Sequence, residues 1–423
     1  MPIITELKAK EILDSRSTPT VSVFCMLDSG ATAEASVPSG ASTGIHEAHE
    51  LRDGDISKYR GKGVYKAIYN VNTEIYNSLK DKKLNQEELD KILIKLDGTK
   101  NKSRLGANAI LGVSLAFARA CANEKKVELY EHLADIYLEG KNKKNYTLPT
   151  PAFNIINGGK HATSGLTFQE FMIIPVGFSN LQEKIEAGNK IIEKLKELLI
   201  KDNFSVSLGD EGGFAPKLGS NEKAFVYIEN AITESGFDKD QIKLGIDVAA
   251  TTFYKEGQYK VEENKILNTR GMIDMYKELA NTHNIISIED GLYEEDFAGF
   301  TVLNKELGDI LNIVGDDLTV TNTKLIKKAI KEKSINTLLI KPNQIGTLTE
   351  TLEAIKLAKK NNIKIFVSHR SGETMDTFIV DLSVAVGADF IKAGSLTKNE
   401  RLAKYNRLLE IENILNKESK NKN

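Results

Sequence analysis

Apolar residues follow two rhythms along this chain. Up to about residue 57 they come in short β-branched stretches. Val21-Ser22-Val23-Phe24-Cys25-Met26-Leu27 is one, closed by the turn signal Asp28-Ser29-Gly30. From about Lys62 the spacing becomes helical, as in Val64, Ile68, Val71 and Ile75, and an Ala- and Leu-rich helix is predicted from about Asn108 to Glu124. Strands followed by helices predict an N-terminal α+β domain over residues 1–138. Residues 139–150 read as a linker: Glu139 to Asn145 is polar and basic, and Leu148-Pro149-Thr150-Pro151 then stiffens the chain.

The second half alternates short apolar runs with amphipathic helices. The runs are Lys243–Ile246, Ile285–Ile288, Leu311–Val314, Thr337–Ile340, Ile363–Val367 and Ala388–Ile391. Helices are predicted between them, for example over Asn322–Lys333 and Thr347–Lys360. Repeated β-α units predict a parallel sheet, and a catalytic β/α barrel over 151–415 accommodates them. Residues 416–423 are polar and read as a frayed tail.

An ionisable residue follows every run: Asp247, Glu289, Asp316 with Asp317, Lys341, His369 with Arg370, and Lys392. From Glu289 onward they recur every 23 to 28 residues, about one βα unit. In a β/α barrel the carboxyl ends of all strands open on one face, where catalytic groups collect. An open doubly wound sheet would also gather ligands there, but no glycine-rich phosphate fingerprint follows a first strand. Asp247, Glu289 and Asp316 offer oxygen only, which favours a hard cation such as Mg²⁺ or Mn²⁺. Lys341 and Lys392 lie on the other side. A lysine near a cation and a second lysine is expected to lose its proton readily and act as a base. Arg370 suits a phosphate or carboxylate. The implied chemistry is proton abstraction next to a carboxylate of a small, multiply anionic acid.

Composition narrows the setting. The formal net charge is −2 over 423 residues, so no global basic field points to nucleic acid. The two cysteines, Cys25 and Cys121, form no metal-ligand spacing and suit a reducing compartment. The N-terminus lacks a signal-peptide apolar region, and no window is apolar enough to span a membrane. A cytoplasmic enzyme without membrane insertion or required nucleic acid is the expectation.

Other motifs add candidates. Gly209-Asp210-Glu211-Gly212-Gly213 is a loop presenting a carboxylate pair. Gln169-Glu170 lies within an apolar strand, where a buried glutamate needs a partner or a proton. His161 follows Gly158-Gly159-Lys160. Pro38-Ser39-Gly40-Ala41-Ser42-Thr43-Gly44 reads as a lid that closes over a site.

Taken together, these motifs resemble the enolase family in order and over nearly the whole chain. The carrying stretches include Ser39 to Gly44, Asn154-Ile155-Ile156-Asn157-Gly158-Gly159, Gly209 to Gly213, Ser287-Ile288-Glu289-Asp290, Gly315-Asp316-Asp317-Leu318, Lys341-Pro342-Asn343-Gln344-Ile345-Gly346-Thr347 and Ser368-His369-Arg370-Ser371-Gly372-Glu373-Thr374. The resemblance implies a modified TIM-type barrel behind the N-terminal α+β domain, and Mg²⁺-dependent dehydration of 2-phosphoglycerate to phosphoenolpyruvate, the proton being taken by a lysine. It implies Lys341 as base, Glu211 as general acid with Glu170 beside it, and His369 and Lys392 as further catalytic groups. Lys392 also binds the carboxylate side, Arg370 and Ser371 hold the phosphate, and Gln169 and His161 complete the pocket. Asp247, Glu289 and Asp316 would hold one Mg²⁺, and Ser42 with the phosphate a second. A homodimer or octamer is implied. An additional non-catalytic role, as a surface adhesin or an RNA-processing scaffold partner, is the alternative.

Two stretches depart from the family. Asp14-Ser15-Arg16-Ser17-Thr18-Pro19 stands where Asp-Ser-Arg-Gly-Asn-Pro is usual, and Ala250-Thr251-Thr252-Phe253 where Ala-Ser-Glu-Phe is common. The loop Ala162 to Leu166 after His161 also differs from common versions.

Overall fold

The computed structural model describes residues 1–41, 44–141 and 145–421. The N-terminal domain opens with an antiparallel meander of β1 (Ile4–Leu13), β2 (Pro19–Leu27) and β3 (Thr32–Ser36). Helices α1 (Tyr65–Asn70) and α2 (Tyr76–Leu79) are joined through a π-helical turn over Val71–Ile75, and α3 (Gln86–Asp97), α4 (Ala107–Lys125) and α5 (Leu129–Tyr137) follow. Helix α4 packs across one face of β2 and β3, the face to which β2 sends Val21, Val23, Cys25 and Leu27. Val21, Val23 and Cys25 lie in the same core as Ile110, Val113 and Phe117.

The turn between β1 and β2 forms despite its departure from the family pattern. Asp14 Oδ1 accepts the Arg16 and Thr18 amides at 2.8 and 2.9 Å. Exposed Ser17, where glycine is usual, adopts φ +57°. A side chain there carries the left-handed penalty of about 1–2 kcal/mol.

The second domain is a closed eight-stranded barrel. Its strands are β4 (Thr150–Asn157), β5 (Glu170–Pro175), β6 (Ile242–Asp247), β10 (Ile285–Glu289), β11 (Asn312–Gly315), β12 (Thr337–Ile340), β13 (Lys364–Ser368) and β14 (Phe390–Lys392). A small side sheet of β7 (Tyr254–Lys255), β8 (Gln258–Glu262) and β9 (Lys265–Leu267) intervenes. The helices are α6 (Leu181–Lys201), α7 (Asn221–Glu234), α8 (Thr269–Thr282), α9 (Phe297–Leu307), α10 (Thr323–Glu332), α11 (Pro342–Ile345), α12 (Leu348–Lys360), α13 (Phe378–Val386) and α14 (Asn399–Asn421). Helix α14 thus continues to Asn421, into the polar stretch that reads as tail. All six strands predicted from the apolar runs are present. The sheet is not wholly parallel, however: β5 runs antiparallel to both β4 and β6.

Strand periodicity decides what faces the barrel axis. Ala152, Met172, Ile174, Val314, Leu339 and Phe366 form a separate interior cluster, while Leu338, Ile340, Ile365 and Val367 belong to the core under the helices. Two residues further toward the rim on the same inward face come Asn154, Glu170, Asp316, Lys341 and Ser368. Because β5 is reversed, its first residue rather than its last reaches this rim.

The two domains dock through polar groups at the start of α12. Its first amides have no partners within the helix. Leu348 N donates to Ser114 Oγ at 3.0 Å, Thr349 N to Asp90 Oδ2 at 2.9 Å and Glu350 N to Thr347 Oγ1 at 3.2 Å. Asp90 and Ser114 come from the N-terminal domain and are fully buried. Arg119 adds a part-buried ion pair with Asp376, at 2.5 and 2.8 Å. Within the barrel domain, His283 is held between Glu222 at 3.1 Å and Glu229 at 3.2 Å and stacks on Phe225. Burial disfavours its charge, but the two glutamates outweigh that and raise its pKa.

Three outcomes follow for stability. Asp90→Ala strands the Thr349 amide and lowers unfolding free energy by about 1–3 kcal/mol in chemical denaturation, whereas the exposed Glu87→Ala changes it little. Ser17→Gly relieves the left-handed strain and raises stability by about 1 kcal/mol. A raised folded-state pKa stabilises below the unfolded value and ceases to do so as pH rises through the folded one. The melting-temperature deficit of Glu222→Gln/Glu229→Gln is therefore larger near pH 6 than near pH 9; an equal deficit at both would remove His283 as its source.

Candidate active site

The rim of the barrel collects the charges. Lys392 Nζ sits 2.8 Å from Glu289 Oε1, 3.2 Å from Glu170 Oε2 and 3.3 Å from Asp247 Oδ2. Lys341 Nζ pairs with Asp316 Oδ2, and Gln344 Nε2 donates to the other oxygen of Asp316 at 2.8 Å. Each of these groups is buried. Gln169 Nε2 donates to Asp247 Oδ2 at 3.2 Å. Asp290 turns outward along the rim and accepts the Asp316 and Asp317 amides at 2.9 and 2.8 Å, fixing the loop after β11.

Negative charge predominates on this side. Burial and the adjacent Asp247 carboxylate push Glu289 well above the usual carboxylate range. Burial and Asp316 do the same to Asp290 and Asp317. For Asp316 burial also opposes the charge, but Lys341 and Lys392 outweigh it and hold the group low. Burial works against the Lys341 ammonium, yet Asp316 dominates and raises its pKa. The ion pair with Asp316 thus favours the Lys341 ammonium, whereas the sequence expectation of an easily deprotonated lysine refers to a site with a divalent cation beside it.

An excess of buried, oxygen-only carboxylates fits a hard divalent cation. Among the described residues, Asp290, Asp316 and Asp317 have ligand atoms within 4.8 Å of one another, as do His161, Glu170 and Glu211. Asp247, Glu289 and Asp316 share the rim without approaching one another that closely, because the two lysines lie against them. The cavity at the rim, lined by Asp247, Asp316, Lys341, Lys392, Glu170 and Glu211 among others, has about 20 Å³ of free space, near that of one water. Substrate and metal would have to displace the ammonium groups from the carboxylates.

Opposite Lys341 lies a second carboxylate pair. β12 and β5 stand four strands apart around the eight-stranded ring, so Lys341 and Glu170 face each other across it. Glu211 joins Glu170 from the loop between α6 and α7, where Gly212 turns at φ +89° and a side chain would meet Thr397. Asn154 Nδ2 donates to Glu211 Oε2 at 2.8 Å, and Glu211 Oε1 lies 3.4 Å from His161 Nδ1 and 3.6 Å from His369 Nε2. Burial and the neighbouring Glu211 raise Glu170 far above its ordinary pKa. Burial would raise Glu211 too, but His161 and His369 prevail and lower it. Two adjacent buried carboxylates cannot both ionise cheaply, so the pair retains a proton, favouring Glu170 here.

A further cluster of polar residues lies beyond β13. Ser368, not His369, is the inward strand-end residue, and His369, Arg370 and Ser371 project from the following loop. Arg370 is bidentate with Glu47, at 3.0 Å for each contact, and donates to Asn343 Oδ1 at 2.9 Å. Ser371 Oγ accepts the Ala41 amide at 2.7 Å and Arg16 Nη1 at 3.3 Å. Ser39 and Gly372 exchange backbone hydrogen bonds at 2.8 and 2.9 Å. The N-terminal domain therefore builds part of the site. Ser42, the expected lid residue, lies outside the described residues.

Glu47 and Arg401 carry no local signal in the sequence. Asp317 is one of the strand-end acids, and Arg16, Asn154, Asp290 and Gln344 lie within quoted stretches, but the sequence assigns none of these five a part in the site.

Residues 4–133 match the enolase N-terminal domain and residues 145–422 match the enolase C-terminal TIM barrel domain. Together the matches cover nearly the whole chain, in agreement with the meander-and-helix domain and the closed barrel. The chain belongs to the enolase family, the magnesium-dependent phosphopyruvate hydratases, which are glycolytic hydro-lyases.

Proposed function

We propose that this chain interconverts 2-phospho-D-glycerate and phosphoenolpyruvate, with Lys341 taking the C2 proton and Glu211 protonating the departing 3-hydroxyl. The observation that carries this reading is the placement of Lys341 across the ring from the Glu170–Glu211 pair. Base and acid on opposite walls suit removal of a proton from one face of a small acid and of hydroxide from the other. The C2–H electrons become the C2=C3 bond, and the hydroxyl leaves as water with the acid's proton.

Other residues take supporting parts. Lys392 meets the substrate carboxylate, and Arg370 with Ser371 meets the phosphate. Gln169, His161 and His369 border the reacting carbons, and Glu170 serves as the proton partner of Glu211. Asp247, Glu289 and Asp316 are the proposed ligands of one Mg²⁺, and Ser42 with the substrate phosphate those of a second, making two per site. When bound, Mg²⁺ supplies positive charge where the substrate carboxylate gains negative charge. Asp316 has a dual position in this scheme. Committed to a cation, it no longer stabilises the Lys341 ammonium, and neighbouring Arg370 and Lys392 then favour the neutral amine.

A cytoplasmic setting and a homodimer or octamer complete the proposal. No helix among the described residues is long and apolar enough to cross a membrane. Exposed Tyr65 and Tyr69, one turn apart on α1, offer apolar surface to a second subunit.

Purified protein with Mg²⁺ is expected to generate the product's absorbance from 2-phosphoglycerate, and EDTA to abolish it; folded protein that makes none with Mg²⁺ present would sink the assignment. Lys341→Ala should lower turnover by ~10⁴-fold and stop exchange of the C2 proton with solvent. Glu211→Gln should lose dehydration but retain exchange, so parallel loss of exchange in both would contradict the division of roles. Saturating Mg²⁺, near 100 times its dissociation constant, should stabilise the protein by about 2.7 kcal/mol. Asp247→Asn and Asp316→Asn should each diminish that thermal shift, whether or not activity is measurable.

A further inference from the structure

Arg401, near the start of α14, is fully buried and lies under the anion-binding loop. Its Nη1 contacts His369 Nδ1 at 2.5 Å and donates to the Arg370 carbonyl at 2.8 Å. Its Nη2 donates to the carbonyls of Ser371 at 2.7 Å and Asp210 at 3.3 Å. One guanidinium thus spans the loop that carries His369, Arg370 and Ser371 and the loop that carries Glu211. Its nearest carboxylate, Glu400, is 3.6 Å from Nε. The backbone makes room for it: Gly394 turns at φ +88°, and a Cβ there would meet Arg401 Cδ and the Glu211 carbonyl at 2.7 Å each.

Burying this charge is costly, and carbonyl oxygens alone could be met by a neutral donor. The contact with His369 is different in kind. A guanidinium has donors and no lone pair, so the nitrogen facing it must be the acceptor. Neutral imidazole has one of each, and the proton must then sit on Nε2. His369 Nε2 is buried without a hydrogen-bond partner and points toward Glu211, at 3.6 Å.

We infer that Arg401 is a positioning residue that locks His369 in the Nε2–H tautomer, making it a fixed hydrogen-bond donor aimed into the site beside Glu211. His369 is then no proton acceptor. It offers an N–H to an oxygen of the bound substrate or to Glu211 itself. Besides Glu211 and Arg401, the charges acting on the ring are Lys392 and Lys341, and burial with these cations keeps it neutral. The tautomer does not depend on the proposed reaction; only its kinetic consequence does.

The test is nitrogen NMR of the full-length protein labelled with ¹⁵N-histidine, with and without Mg²⁺, the His369 signal being identified by its loss in His369→Gln. Wild type should show Nε2 protonated and Nδ1 bare, with no titration across the pH range in which the fold persists. Arg401→Met should release the ring to a mixture of tautomers and lower kcat on the order of 10²-fold with a changed pH profile. Arg401→Lys, which keeps a donor without a lone pair, should restore the wild-type tautomer. Lys404→Met, one turn along α14, removes contacts to Glu373 and the Thr374 carbonyl but leaves Arg401 in place, so the tautomer should survive it. A proton on Nδ1 or a titrating ring in wild type would overturn the inference even if Arg401→Met failed to fold. So would an unchanged signal in Arg401→Met. Because the spectra need no turnover, an inactive wild type would count against the proposed reaction and not against Arg401.

Discussion

Lys392 is one ammonium among three buried carboxylates, and much of the site can be understood from that imbalance. Removing a single partner from a buried ion cluster leaves uncompensated charge and costs about 3–5 kcal/mol. The barrel accepts this cluster because period-2 alternation places Glu170 and Lys392 one layer above Met172 and Phe390, while the reversed β5 brings Glu170 beside Asp247. The rim carboxylates still have too few cations. Glu289, Asp290 and Asp317 are all pushed toward neutrality, by burial and by Asp247 in the first case and Asp316 in the other two. A cation introduced there relieves the repulsion, which is why this geometry and the magnesium dependence of the family agree.

The same constraint reaches the N-terminal domain. Arg370 is a second buried cation, and its bidentate partner is Glu47 from the other domain. Gly44 N and Gln344 Nε2 also approach Glu47 Oε1, at 3.2 and 3.5 Å. Arg370 is therefore oriented across the domain boundary, its guanidinium held by a carboxylate of the other domain. The buried caps that Asp90 and Ser114 place on α12 keep the domains in that register. Domain docking and the orientation of Arg370 are two results of one interface.

How much of this the sequence disclosed depends on what carries the signal. Asp247, Glu289, Asp316, Lys341 and Lys392 were legible because each ends a strand, and strands announce themselves by apolar runs. The division into a meander with helices and a later β-α repeat was legible for the same reason. Glu47 and Arg401 were not, since their meaning lies in partners 323 and 32 residues away in the chain. Spacing locates Lys341 but does not show that Asp316 lies against it. Ser17 was legible as a departure, but only backbone angles show that it keeps the glycine conformation.

The reversed strand explains why the Glu170–Glu211 side is harder to read than the Lys341 side. In a regular barrel each rim loop follows a strand, and counting strand ends finds the chemistry. Here β4 enters the rim and β5 leaves it, so the whole connection between them, with His161 and Gln169, lies at the site. The chain then returns to the far end and passes through α6 and α7, whose connecting loop delivers Glu211. The proposed base and metal ligands thus sit on the regular part of the barrel, while the proposed proton donors come from its irregular opening. Glu211, carried on a loop, needs outside support to hold its geometry. Asn154, His161 and the Arg401 bridge between the Asp210 carbonyl and His369 supply it.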